Sequence, residues 1–147
     1  MGLKVYLPIA LVVFAAATTG ADVIVRTSLA GQPLLAAFHE HLYWASAELG
    51  GTLLLLAPFV AVAGTCALVE RRARTRAVLL IFALAMVALL YFYFQGHEAA
   101  ERAELQHMWT AATVSIGFLP FGIGLPVVLA VVVFGWLTAE FDPRVSD

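Results

Sequence analysis

The chain is poor in cysteine and in charge. Cys66 is the single cysteine among 147 residues, so an internal disulfide is excluded. Its place inside an apolar run suits a small buried hydrophobe. Charged residues make up 12% of the chain and hydrophobic ones 63%. A water-soluble domain carries about 25% charged residues. Half that share, with so much apolar surface to cover, points to an integral membrane protein of one domain. The net charge of −2 and the lack of a basic stripe exclude nucleic acid as a partner. Gly-rich phosphate loops, internal repeats and low-complexity tracts are missing, and there is no haem or nucleotide motif. No motif carries a family resemblance.

What is present reads as an all-α membrane protein, a bundle of four transmembrane helices spanning about 3–20, 42–69, 77–95 and 110–138. The first run has the look of a signal peptide, with Lys4 before an apolar core and small residues at Ala15-Ala16-Ala17. We expect a retained membrane helix instead. Residues 21–41 form a connection in which Asp22 to Arg26 is too short and mixed to span anything. A helix is predicted from about Pro33, entering the membrane near Leu42 with Tyr43 and Trp44 at the interface. Gly50, Gly51 and Gly64 are predicted sites of close helix approach, and Pro58 a kink. Tyr91 to Phe94 is predicted to be an aromatic belt ending the third span at Gly96. The fourth span is predicted to be kinked at Pro120 and Pro126, and a polar tail follows Glu140.

Arg71, Arg72, Arg74 and Arg76 crowd the 70–76 loop. Loops rich in arginine stay in the cytoplasm, which places both termini inside and the connections 21–41 and 96–109 outside. Lys4 and Arg144 join the inner set, and Arg26 and Arg102 are the outer pair. The expected location is a bacterial inner or cytoplasmic membrane, with the bilayer as first partner.

All four histidines then lie outside, with glutamates beside them. At about 100° per residue, His97, Glu101, Glu104 and Met108 share an arc of about 60°. Glu104-x-x-His107 lets a carboxylate and an imidazole reach one ion from adjacent turns. His41 and Glu48, seven apart, share a face of the other segment, and His39 does not. The expected site is therefore a metal centre of His41, Glu48, His97, Glu101, Glu104 and His107, with His39 in reserve. Imidazole and carboxylate suit Zn, Cu or Fe. The di-iron pattern is incomplete, and the zincin motif fails because Glu101 stands where its second histidine would be. A haem or quinone site walled by Tyr91, Tyr93 and Trp109 is a weaker alternative.

Metal handling or metal-dependent redox chemistry at the membrane is the first functional expectation. The second is a non-catalytic accessory subunit docking on other membrane subunits, or a homo-oligomer. The third is a proton-coupled carrier, with histidines beside carboxylates relaying protons. That third reading is penalised because no charged residue falls mid-span.

Overall fold

A computed structural model describes residues 2–140. The tail from Phe141 to Asp147, with Arg144, lies outside the described residues. Every element among those described is helical. Four helices are long and apolar enough to cross a membrane: α1 (Leu3–Leu29), α3 (Leu49–Val69), α4 (Thr75–Leu105) and α5 (Trp109–Glu140). A shorter helix, α2 (Leu34–Ala47), stands between α1 and α3.

The helices α3 and α4 pack on each other, and each also packs on both α1 and α5. Helices α1 and α5 thus sit on opposite sides of the α3–α4 pair. Their shared core is apolar, with Phe59, Val62, Cys66, Val78, Phe82 and Leu89 all buried. Outward-facing leucines, valines and phenylalanines such as Leu80, Leu84, Val133 and Phe134 are exposed. A lipid solvent explains that inversion, because hydrocarbon does not penalise an apolar surface.

Several boundaries differ from the sequence reading. Residues 21–29 are not a connection: α1 runs on through them to Leu29. Their mixed composition hides an i,i+4 ion pair, Arg26 Nε to Asp22 Oδ1 at 3.0 Å, which ties successive turns of one helix. The chain breaks instead at Gly31, whose φ of 67° suits a residue without Cβ, before Pro33. The predicted helix 42–69 divides at Glu48 (φ −113°, ψ 56°), so α2 ends at Ala47 and α3 starts at Leu49. The polar stretch after Gly96 is not a separate cap. It extends α4 to Leu105.

Glycines meet neighbours elsewhere than expected. A Cβ at Gly50 or Gly64 would touch nothing within 4 Å, whereas at Gly124 it would fall 2.2 Å from Pro58 Cγ. The close approach is between α5 and α3, with the glycine receiving a proline ring. The aromatic belt is also split. Tyr91 and Phe92 are exposed, but Tyr93 is fully buried. Its hydroxyl donates to the Leu55 carbonyl at 3.0 Å, and its ring meets Phe59 edge-on at 5.1 Å. That hydroxyl supports the α3 backbone where Pro58 interrupts the hydrogen-bond ladder.

Two π-helical turns, Ala16–Gly20 in α1 and Leu119–Gly124 in α5, alter the winding of the helices that carry them. In the first, the Thr18 hydroxyl donates to the Phe14 carbonyl at 2.9 Å and competes with the backbone for it. In the second, Pro120 has no N–H to give, so the regular ladder is broken. Turns of this kind recur at functional sites.

Candidate functional site

At the end of the molecule away from the arginine loop, polar side chains turn inward. Asp22 on α1 is their centre and is 8% exposed. Its Oδ1 accepts the Arg26 Nε at 3.0 Å, and its Oδ2 faces His41 Nδ1 at 2.9 Å. Arg26 also reaches Glu40, Nη1 to Oε1 at 3.0 Å. The other ring nitrogen of His41 lies 3.0 Å from the Thr19 hydroxyl. Thr19 belongs to the first π turn.

These contacts fix the chemistry of His41. Nδ1 faces a carboxylate, so it carries the hydrogen and donates. Nε2 then accepts from the Thr19 hydroxyl in the neutral ring, or donates to that same oxygen in the imidazolium. A hydroxyl does either by rotating. His41 can therefore gain or lose a proton without losing a partner, and Thr19, His41 and Asp22 form a continuous hydrogen-bonded chain.

His97 on α4 is the complement. It is 5% exposed, and neither ring nitrogen has a hydrogen-bond partner among the described residues. Its Nδ1 stops 3.9 Å from Asp22 Oδ1, beyond hydrogen-bond reach. A buried imidazole left unpaired on both sides costs free energy and calls for an explanation. Glu101, one turn on, is 7% exposed and feels the charges of Arg26, Asp22 and Glu40.

Both histidines border a cavity of about 500 Å³. Phe14, Leu54, Leu55, Ile116 and Pro120 give it an apolar floor, and Trp44 forms a wall. Asp22, Arg26, His41, His97, Glu48 and Glu104 bring polar atoms to it. The cavity exists because α2 packs mainly on α1, and the start of α5 mainly on α4, leaving space between them. An apolar cleft with a few convergent polar groups is the usual form of a small-molecule site.

Four of the six predicted metal ligands, His41, Glu48, His97 and Glu104, thus meet at one cavity. Glu101 is buried beside the same charges. His107 is not brought in. It follows the end of α4 in a turn with φ 59°, is exposed, and lies 6.0 Å from the Trp109 ring. His39 is exposed too, on the other face of α2 from His41. Among the described residues, no group of three or more His, Cys, Asp or Glu is placed to hold a metal ion. Both oxygens of Asp22 are already engaged, one of them by a guanidinium that would repel a cation. Tyr91 and Trp109 are exposed and Tyr93 is in the core, so the three do not wall a haem or quinone.

Asp22 and Arg26 are the candidate site residues that histidine counting passes over. Their signal is an acid and a base one helical turn apart at the end of an otherwise apolar run. Ionisable residues so placed mark a site by default. No known protein family, curated protein or solved structure matches this chain.

Proposed function

We propose that this membrane protein binds a small ligand in the cavity in linkage with protons held by Asp22, His41 and His97. The observation that carries the reading is the Thr19–His41–Asp22 chain, able to hold a proton or release it, beside an unpartnered His97 at the cavity wall. In this reading the four helices form a bundle with both termini cytoplasmic. The arginine loop at the opposite end supports that orientation and a bacterial cytoplasmic membrane. The cavity then faces the extracytoplasmic half, and a carrier or a sensor follows from it. The broken winding of α5 at Pro120 supports movement near the cavity floor.

Ring-nitrogen resonances of the detergent-solubilised protein test the reading. Asp22→Asn is expected to move those of His41 and His97, which both face that carboxylate, and to leave those of His39 and His107 in place. His41 and His97 resonances that ignore Asp22→Asn would refute it.

The convergence of His41, Glu48, His97 and Glu104 on one cavity keeps a metal site as a second reading. A shift of their side chains around Zn, Cu or Fe would be required. Elemental analysis of untagged protein beside a His41→Ala/His97→Ala variant decides it. Stoichiometric metal in the first alone supports it, and none in either excludes it. The accessory-subunit reading draws on no particular observation of the site.

A further inference from the structure

The charges around the cavity are unequal. Arg26 is the one cation among its described lining residues, and it is engaged by Asp22 and Glu40. Glu48 and Glu104 also line the cavity, and among the described residues neither finds an ion-pair or hydrogen-bond partner for its carboxylate. An anionic ligand would meet two unneutralised carboxylates and no free cation. A cationic one would meet opposite charge at both, at the exposed Glu48 and the half-buried Glu104.

His97 adds what the carboxylates alone do not. It is buried, it borders the same cavity, and both of its ring nitrogens lack partners. Its Nδ1–H can settle on Asp22 Oδ1, now 3.9 Å away. Nε2 then remains a buried acceptor without a partner, which a ligand N–H or O–H entering beside the ring can fill once the ring turns toward it. A quaternary ammonium has no such hydrogen, but a protonated primary or secondary amine has. Below these groups lie Leu54, Leu55, Ile116 and Phe14, with the Trp44 ring beside them. Those surfaces suit an apolar body, and an indole face also attracts cations. A volume of about 500 Å³ accommodates a small organic molecule rather than a bare ion.

We propose that the cavity binds a protonated primary or secondary amine bearing an apolar body, with its ammonium at Glu48, Glu104 and His97. The assignment rests on the proton-linked reading of the same cavity and gives it a substrate class. An amine is a proton carrier in its own right, so its binding depends on the charge it carries into the cavity. No bond is made or broken: the amine enters with its proton, and a gain of charge on the histidines repels it.

Calorimetric titration of the protein in lipid nanodiscs with phenethylamine tests this, with empty nanodiscs as reference for partition into lipid. Two probes of similar size, 2-phenylethanol and 3-phenylpropionate, remove the charge or reverse it. Phenethylamine is expected to bind at least tenfold more tightly than either. Glu48→Gln/Glu104→Gln and, separately, His97→Leu are expected to weaken it at least tenfold while helicity and monodispersity stay unchanged. No binding of phenethylamine, equal binding of the three probes, or binding indifferent to both variants would overturn the proposal. So would displacement of phenethylamine by Zn²⁺ that itself binds through Glu48 and Glu104. If the amine fails while the two histidines still respond together to Asp22→Asn, the substrate class is wrong and the proton-linked site stands. If the histidines are uncoupled as well, both fall.

Discussion

Removing the Asp22 carboxylate is the sharpest perturbation of this molecule. Asp22→Ala deletes the acceptor of two charge-assisted hydrogen bonds, from Arg26 and His41. Hydrogen bonds to charged groups are worth about 1.5–3 kcal/mol each, so the pair sets an upper figure of about 6 kcal/mol. Two features reduce it. Arg26 keeps its contact to Glu40, and His41 keeps Thr19. Neither partner is left bare, so the full loss for orphaning a buried charge does not apply. The net is about 2–4 kcal/mol, and Asp22→Asn, which keeps an acceptor oxygen, is expected to lose about half of that. The buried thiol of Cys66 is a built-in reporter, because it is the only thiol and is 1% exposed. Its labelling by a fluorogenic maleimide during heating follows unfolding directly. At about 3 °C per kcal/mol for a chain of this size, Asp22→Ala lowers the midpoint by about 6–12 °C. An unchanged midpoint would refute the view that Asp22 organises this end of the molecule.

Other substitutions separate packing from function. Gly124→Ala drives a methyl group into the Pro58 ring, a rigid neighbour, and is expected to destabilise by about 1–3 kcal/mol in the same melt; Gly64→Ala, with nothing within 4 Å, is the neutral control. His97→Leu replaces an unpaired buried imidazole by a side chain that needs no partner, so the midpoint should stay or rise while amine binding is lost. Glu70, at the arginine-loop end, accepts the Gly2 backbone N–H at 2.7 Å, which holds its carboxyl below the ordinary value of 4.5. A depressed carboxyl stabilises above its unfolded value and loses that contribution as pH falls through the folded one. The Gly2 amide resonance is expected to shift on acidification below that range, and Glu70→Gln to abolish the shift.

Much of the fold was legible because lipid imposes simple demands. Length and hydropathy alone mark the four membrane helices. What composition obscured were the ends. Residues 21–29 look like a connection until Asp22 and Arg26 are paired along a helix, and the 97–105 stretch looks like a cap until His97 and Glu101 are seen facing inward. The predicted shared face of His97, Glu101 and Glu104 rests on helical spacing, and the helix is there. Met108, the fourth member of that face, and His107, one row over, fall beyond the helix because α4 ends at Leu105. The importance of Asp22 is a tertiary fact: α2 folds back along α1 and sets His41 against it. Local spacing contains no trace of that contact. The glycine positions were misassigned for a similar reason. Whether a small residue is a contact depends on what stands opposite, and Pro58 opposite Gly124 is fixed only by packing.

The most direct test of the account is the ring nitrogen spectrum of His41 at neutral pH, in the native protein and in Asp22→Asn. The structure predicts a ring protonated at Nδ1, opposite to the tautomer that free histidine prefers, that changes tautomer when Asp22 is replaced. A ring protonated at Nε2 in the native protein, and unaffected by Asp22→Asn, would contradict the hydrogen-bonded chain on which the proposed function depends.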